Sequence, residues 1–548
     1  MLETAKTALT TAALVAAWSL RWNVYVFLRL LPFASKSLPK IWTGLAVHLS
    51  ALSAMWLSRS KKADRRTGLA PALGVLGIAS GAASIVWAVA VDLVLVLMSL
   101  DMCYRAHYLH PAGALSFSRT GFVTDTSASL LFRSTSQSFN LTYVSNAAGS
   151  VKIPVHVPAG SDSTVSVHID GLQPGETYSY ISTAGHEGSF LTARAAPEIF
   201  SLVSTSCQKP NWPYSPLNHP LRVTGMEHLD KHVGGMRQKP EMMLFLGDFI
   251  YSDLPMPLAP YTKSYYRQLY RQLYASPSWT RNLLDLPWIH MFDDHEIIND
   301  YSTDPKHTPL YPEAIDAFAH YQLSVNPPPI NPAQPTYTSF NIGQVAFFVL
   351  DNRSFRSAQP LRSGSNSTGG QGERTMLGVQ QLADLRVWVD REGKREGRLL
   401  VLVSGVPVTR NWSEGGDEFD SWAGYLDERE EVLEMLWAVG GAVIISGDRH
   451  EHATTVLPPS PHSGHPSSHS VIEFSTSPLS YFHQPWLREH VEHRPTDITL
   501  HHEWRGMSRF GAFDFDTSGQ EPKVDFTLVV DGEEEWKYTW WKGKGIAI

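Results

Sequence analysis

Five short polar runs carry the residue types that could do chemistry. They are Ser204-Thr-Ser-Cys207-Gln208, Phe245-Leu-Gly247-Asp248-Phe-Ile-Tyr251, Phe292-Asp293-Asp294-His295-Glu296-Ile-Ile-Asn299-Asp300, Leu350-Asp351-Asn-Arg353-Ser-Phe-Arg356 and Ile445-Ser-Gly447-Asp448-Arg449-His450-Glu-His452. Together they offer carboxylates, an amide oxygen, a phenol, a thiol and imidazoles. This mixed hard and borderline donor set suits a pair or cluster of ions rather than a structural zinc, for which the chain lacks cysteines. A phenolate and a thiolate on one ion favour a trivalent metal such as Fe³⁺, whereas carboxylate and amide oxygens suit Ca²⁺ or a similar hard cation. Closely spaced metals clamp the attacking and leaving oxygens of an in-line displacement and lower the pKa of bound water. Phosphoryl transfer needs mainly this charge neutralisation and positioning.

Each run alone has an ordinary explanation. Gly-Asp after a strand is usually a turn, and a lone buried Cys is usually packing. Asp293–Glu296 could open a helix, with acidic groups at the positive end of its dipole. Asp448–His452 could be a charged loop, and Arg353 and Arg356 simple ion-pair partners. The conjunction of all five, in order and each following an apolar strand, is what points to a site. No Ser or Thr is placed as a nucleophile, so the attack expected is by water directly.

The elements that must position these runs alternate between apolar strands and helical stretches. Strands are expected at Ile199–Val203, Met243–Leu246, Trp288–Phe292, Val345–Leu350, Leu399–Val403, Val443–Ile445 and Val471–Phe474. Helices are expected near Thr262–Tyr274, Pro312–Gln322, Leu377–Arg391 and Glu430–Val439. This is an α/β architecture, in which ligands gather at the carboxyl ends of strands. Before it, from about Ala112 to Ala196, short alternating runs at Ser129–Phe132, Asn140–Val144, Thr164–Ile169, Thr177–Ser182 and Gly188–Thr192 read as an antiparallel sandwich. Within it, Leu172-Gln-Pro-Gly-Glu-Thr-Tyr178-Ser-Tyr180 resembles the E–F corner of fibronectin type III domains, where a Tyr hydroxyl bonds back to the backbone. Nothing in this domain is reactive; it reads as a spacer or a wall of the site.

The first hundred residues differ again. Thr7–Leu20 is apolar and continues through Trp22–Leu28; Ile41–Leu57 has 17 residues and no charge; Gly68–Leu100 has 33 residues with only Asp92 charged. A span needs about 20 apolar residues, so about three transmembrane spans are expected. Arg59, Lys61, Lys62, Arg65 and Arg66 cluster between the second and third, which places that loop in the cytoplasm and the rest of the chain on the lumenal or extracellular side. Sequons at Asn140, Asn352, Asn366 and Asn411 fit that side. Over its 548 residues the chain is 43% hydrophobic and 18% charged, and its net charge of -8 argues against general nucleic-acid binding. Two cysteines, Cys103 and Cys207, rule out a disulfide framework and leave one disulfide open. The Ser/Gly-rich stretch Ser363–Gly372 reads as a lid, and His462, His465 and His469 as a solvated loop.

From Ile199 to its end the chain resembles the alkaline phosphatase D (PhoD-like) family of the calcineurin-type metallophosphoesterase superfamily. The S-C-Q, G-D-x-I-Y, D-D-H-E-x-x-N, L-D-x-R-x-x-R and G-D-x-H motifs occur in family order, and Glu473-Phe-Ser-Thr-Ser-Pro478 is similar to its late strand motif. The resemblance implies a four-layer double β-sheet sandwich flanked by helices. It also implies a dinuclear or trinuclear site of Fe³⁺ and Ca²⁺, with other divalent ions as alternatives. Cys207, Asp248, Tyr251 and His450 would be the iron-side ligands, with Asp248 bridging, and Asn299 and Asp448 the calcium-side ligands. Asp294 and His295 align with the superfamily's catalytic Asn-His position, so His295 would contact phosphate or protonate the leaving group. Arg353 and Arg356 would bind phosphate oxygens or brace the site. Arg449, Glu451 and His452 depart from the smaller, less charged residues usual there, and the multi-pass start is unlike secreted members.

The expected organisation is a transmembrane anchor over 1–105, a fibronectin III-like domain over 106–196 and a PhoD-like metallophosphatase domain over 197–548. The expected function is a membrane-anchored phosphatase or phosphodiesterase acting on phosphate esters. The competing class is a non-catalytic membrane receptor or adhesion protein on the same scaffold. It would show as the loss of a ligand, and every expected position is filled.

Overall fold

The computed structural model describes residues 2–58, 68–78, 81–145, 149–358, 374–413, 420–481 and 490–544. The basic cluster from Arg59 to Arg66, the stretch Ser363–Gly372 and the sequon at Asn366 lie outside the described residues. By contacts the chain forms two units. One comprises 1–111 with the short segments 211–220 and 253–258; the other comprises 112–210, 221–252 and 259–548.

The first unit is helical: Leu2–Arg29, Ala34–Ser58, Ala70–Val75 and Ala82–Leu109. The single apolar stretch expected at Gly68–Leu100 is broken. Gly77 adopts a left-handed φ of +78°, at a point where a Cβ would come within 2.7 Å of Ala17. The next helix then restarts at Gly81, whose N–H donates to Ser84 Oγ at 3.0 Å. Of the three spans expected, two described helices, Ala34–Ser58 and Ala82–Leu109, are long and apolar enough to cross a membrane. The first helix carries Arg21 and Arg29 and does not qualify. The polarity of the bundle is inverted: His48 Nδ1 and Asp92 Oδ2 pair at 2.7 Å with neither side chain exposed, while Trp18, Trp22, Trp42, Trp56 and Trp87 are exposed. The segments 211–220 and 253–258 pack on these helices. Tyr214 donates to Asp101 at 2.8 Å, and Arg105 to the carbonyl of Pro216 at 2.9 Å.

The second unit begins with two small sheets. One joins Phe117–Val123, Ser127–Arg133 and Thr164–Asp170; the other runs Gly149–His156, Ser138–Ser145, Thr177–Ser182, Glu187–Leu191. Sequence pattern did not mark Phe117–Val123 or Gly149–His156 as strands. At the Leu172–Tyr180 corner the Tyr178 hydroxyl accepts the N–H of Gln173 at 2.9 Å, as the corner motif requires. These sheets are seated closely on the α/β part of the same unit. Buried Arg119 donates to the carbonyl of Tyr321 at 2.9 Å, and Asp162 accepts Arg271 at 2.7 Å. A Cβ on Gly121 would come within 2.4 Å of the Val325 carbonyl.

Two larger sheets complete the unit. The six-stranded sheet has the order Trp288–Met291, Met242–Leu246, Ile199–Thr205, Arg509–Asp516, Lys523–Val530, Glu533–Trp541. The eight-stranded sheet has the order Pro329–Asn331, Gln334–Ile342, Val345–Val349, Leu399–Val403, Val443–Ser446, Val471–Thr476, His452–Leu457, Ile498–Glu503. The first three strands of one, and Val345–Val349 through Val471–Thr476 of the other, are parallel. Strands such as Met242–Leu246 and Leu399–Val403 are buried at every position, which explains their continuous apolar runs. The sheets share one core, with Phe347 of one 5.9 Å from Phe515 of the other and Phe474 stacked on Phe526 at 4.4 Å between ring centres. Helices at Lys263–Tyr274, Tyr311–Tyr321, Gly378–Gly393 and Leu426–Ala438 match the expected ones within a few residues; the helix Thr224–Gly235 was not expected.

Candidate metal centre

The loops leaving the carboxyl ends of the parallel strands converge, and their backbones are unusual. Cys207, Asp248, Asp448 and His450 all have left-handed φ, at 62°, 55°, 74° and 55°. A non-glycine residue there costs roughly 1–2 kcal/mol and persists only where its surroundings dictate it. Here they do. Cys207 N–H donates to the Gly247 carbonyl at 3.1 Å and Gln208 N–H to that of Asp248 at 3.0 Å. Asp448 N–H donates to Ser206 Oγ at 2.9 Å, and His450 N–H to Ser477 Oγ at 2.7 Å. Gly247, at φ +103°, is required by closeness as well, since a Cβ there would fall 2.4 Å from that of Asp293.

Among the described residues, four groups of donor atoms lie within 4.8 Å of one another. They are Cys207, Asp248 and His450; Asp248, Asp294 and His295; Asp293, Asp294 and Asp448; and Asp294, Asp300 and Asp420. Asp248 and Asp294 recur, so the groups are continuous. The Tyr251 hydroxyl donates to Asp248 Oδ2 at 3.0 Å and sits 3.4 Å from His450 Nε2. Asp248 Oδ1 and Asp293 Oδ2 are buried with no hydrogen-bond donor, and Asp294 Oδ1 and Asp448 Oδ2 accept no hydrogen bond and have only ion pairs, to Arg353 at 3.4 Å and to Arg449 at 3.5 Å. Burial, then mutual repulsion among the carboxylates, pushes the Asp448 carboxyl far above its usual range; burial does the same to Asp248 and to the Cys207 thiol. Burial also holds His450 well below the usual imidazole value, in the neutral form that binds metals. Orphaned acceptors in a crowded acidic cluster are what cations would satisfy, so these residues fit a multinuclear metal site.

The surrounding residues hold the ligand loops. Asp294–Glu296 forms one 3-10 turn. The Glu296 carboxylate accepts backbone N–H groups from Phe249 at 2.6 Å, Asp293 at 2.7 Å and Asp248 at 3.0 Å, joining two ligand loops. Burial lifts it to about 8. Arg353 and Arg356 are fully buried. Arg353 pairs with Asp293, with Asp420 at 2.5 Å and with Asp294 at 3.4 Å; Arg356 pairs with Asp420 at 2.8 Å. Those pairs hold the Asp420 carboxyl well below its ordinary range, against the effect of burial. Further out, Glu473 accepts the N–H groups of Val408 and Thr409 and the Ser446 hydroxyl, each at 2.7 Å.

Of the residues expected at the site, the structure brings together Cys207, Asp248, Tyr251, Asp294, His295, Asp448 and His450. Asn299 is the exposed one, in the loop after the 3-10 turn. Asp420 was not expected. It follows an acidic Gly-containing stretch with no strand before it, so no local signal marks it. His452 faces the core, bonded to Thr476 and Thr454. His465 and His469 bond to Glu434 and to the Trp437 carbonyl, as a surface loop would. The sequons at Asn352 and Asn411 give no support to a lumenal side, because both side chains are buried and hydrogen-bonded in the folded chain. Neither Cys103 nor Cys207 is in a disulfide, so the open disulfide is not formed.

The architecture is that of known phosphatases. The solved structure of PhoD superposes with a TM-score of 0.60 at 18% identity, covering 78% of this chain and 90% of that one. A purple acid phosphatase from yellow lupin (Lupinus luteus) seeds superposes with a TM-score of 0.53 at 11% identity, over 77% of this chain and 73% of that one. In sequence, the profile described as PhoD-like phosphatase matches residues 202–526, and the chain belongs to that family. Alkaline phosphatase D of Bacillus subtilis (strain 168) is 25% identical over 332 residues, which are 52% of this chain. The chain spans about half, 53%, of the length of that curated relative.

Proposed function

We propose that this chain is a membrane-anchored, metal-dependent phosphoesterase that hydrolyses phosphate monoesters or diesters by direct attack of water. The observation that carries this is the continuous donor cluster at the strand ends, in which the buried oxygens Asp248 Oδ1 and Asp293 Oδ2 lack donors. Cys207, Asp248, Tyr251 and His450 would hold the iron(III) side, and Asp248, Asn299 and Asp448 the calcium side. Asp293 and Asp294 lie in the same cluster. The metals would supply a nucleophile at neutral pH and neutralise the phosphoryl oxygens. His295, whose ring centre lies 4.4 Å from that of Tyr251, would contact the phosphate or protonate the leaving oxygen. Arg353 and Arg356, with no exposed surface, act by bracing Asp293, Asp294 and Asp420 rather than by touching substrate.

The domain reading is an anchor over 1–105, a fibronectin III-like sandwich over 106–196 and a four-layer metallophosphatase domain over 197–548. The Tyr178–Gln173 corner bond supports the second and the shared core of the two large sheets the third. Helices of 25 and 28 residues are about 38 and 42 Å long at 1.5 Å per residue, enough for a hydrocarbon layer of about 30 Å. Their exposed tryptophans and buried His48–Asp92 pair suit lipid outside and polarity inside. The basic cluster from Arg59 to Arg66 favours a phosphatase domain on the lumenal or extracellular side.

The test is to purify the full chain in detergent, measure bound iron and calcium, and assay p-nitrophenyl phosphate and bis(p-nitrophenyl) phosphate. Metal should be retained and at least one ester hydrolysed, and Asp248→Asn should abolish both. Absence of metal after reconstitution, or an Asp248→Asn protein as active as wild type, would sink the reading.

A further inference from the structure

The fold sorts the sequons by whether their amide nitrogen is free to carry a bulky group. At Asn352 it is not: the residue is 1% exposed, and its Oδ1 accepts the Gly405 N–H at 2.8 Å. Asn411 is fully buried; its Nδ2 donates to Thr499 Oγ1 at 3.2 Å and its Oδ1 accepts the His493 N–H at 3.0 Å. A sugar on either amide would break these bonds and bury its own hydroxyls without partners. Asn140 is placed differently. It lies in the strand Ser138–Ser145, where Phe139 and Leu141 point into the core of the two small sheets. Asn140 and Thr142 alternate with them on the outer face, both partly exposed. The backbone there is well held: the Asn140 N–H donates to Thr183 Oγ1 and its carbonyl accepts the Thr183 N–H, each at 3.0 Å. Opposite Asn140 is exposed Pro154, in the edge strand Gly149–His156. Opposite Thr142 is Ile181, 59% exposed. This outer face is partly apolar and borders an open sheet edge, the kind of surface that secreted domains keep covered.

We propose that Asn140 is a modification site that carries an N-linked glycan, with Thr142 as the hydroxyl residue of its sequon. The proposal rests on the lumenal or extracellular placement given above. The donor is an oligosaccharide on a membrane lipid diphosphate, and an oligosaccharyltransferase catalyses the step. Asn140 Nδ2 attacks C1 of the first sugar. The N–C bond forms, the C1–O bond breaks, the lipid diphosphate leaves with that electron pair, and one amide proton passes to base. Transfer takes place on the extended chain during synthesis; the fold decides whether the product is tolerated. At Asn140 it is, because the amide points away from the core. The first sugar then lies beside Pro154 and Ile181, with its C–H groups toward apolar carbon and its hydroxyls in water. Its bulk hinders pairing at the neighbouring edge strand.

The test translates the full chain with endoplasmic-reticulum microsomes, as wild type, Asn140→Gln and Thr142→Ala. Each is made with and without a C-terminal tail bearing an additional sequon, and gel mobility is compared before and after peptide N-glycosidase F. Asn140→Gln and Thr142→Ala should each migrate one glycan faster than wild type, and the digestion should erase the difference. Mass spectrometry of the digested wild type should find Asn140 converted to aspartate, with Asn352 and Asn411 unchanged. Both variants keep the inward residues Phe139 and Leu141, and Thr142→Ala keeps Asn140 itself, so a lost glycan reports the sequon rather than the fold. A glycosylated tail on variants that comigrate with wild type overturns this proposal alone. Glycans on Asn352 or Asn411 but not on Asn140 overturn it too. A tail left unglycosylated in every protein puts this unit on the cytoplasmic side; the orientation reading then falls and this proposal falls with it.

Discussion

Replacing Arg353 by Met separates bracing from substrate contact. In the folded chain its guanidinium has no exposure and meets Asp293, Asp294 and Asp420. Asp420 keeps Arg356 at 2.8 Å after the substitution, but Asp293 loses its partner. Removing one member of a buried ion pair typically costs about 3–5 kcal/mol, because the other charge is left uncompensated. Asp293 can escape part of that cost by taking a proton. Burial already lifts its carboxyl to about 6, although Arg353 opposes the shift. In the variant the carboxyl should rise further while the unfolded chain still titrates near 4, so the penalty grows with pH by up to about 1.4 kcal/mol per unit. Chemical unfolding of both proteins in a chelator, from pH 6 to 8, should show a difference of about 2 kcal/mol or more that widens with pH. Arg353→Lys should not restore stability, since one ammonium cannot serve three carboxylates. An Arg353→Met protein with wild-type stability at every pH, and only a raised KM, would refute the bracing argument and make Arg353 a phosphate ligand.

Glu296→Gln replaces a carboxylate that accepts three backbone N–H groups with an amide that must turn its NH₂ toward at least one of them. A loss of about 2–4 kcal/mol in stability is expected, together with weaker metal retention measured by elemental analysis after dialysis; unchanged metal content would contradict its role in joining the loops. Gly247→Ala places a methyl where Asp293 sits and strains a φ of +103°, so metal binding should fall at least tenfold by equilibrium dialysis. Glu473 provides a pH test. Burial raises it to about 7, against hydrogen bonds from Val408, Ser446 and Thr409, whereas the unfolded residue titrates near 4.3. Between those values the folded chain binds a proton that the unfolded chain releases, so this residue's contribution to stability rises as pH falls from about 7 to about 4.5 and is flat outside that window. Glu473→Gln should remove that slope, and urea midpoints of both proteins at pH 5, 6, 7 and 8 will report it.

The parallel strands and the ligand motifs were legible in the sequence because both are local. A strand buried on both faces must be a continuous apolar run, as in Met242–Leu246 and Leu399–Val403, and a strand-end ligand must come directly after it, as Asp248 and Asp448 do. The antiparallel strands Arg509–Asp516, Lys523–Val530 and Glu533–Trp541 were not legible, because polar residues are mixed into their pattern; they pair with each other as chain neighbours, and only the pairing of Arg509–Asp516 with Ile199–Thr205 reaches far along the chain. Likewise, hydropathy does not mark the left-handed turn at Gly77, where a Cβ would come within 2.7 Å of Ala17. Only the tertiary structure decided which charged residues meet. It took Asp420 from a loop without a strand, buried Arg353 and Arg356 against it, and turned His452 into the core. It also gathered Cys207, Asp248, Asp294 and Asp448 into one acidic cluster. Sequence sets what each side chain can do; which partner it meets depends on loops brought together from up to about 250 residues apart by a shared core.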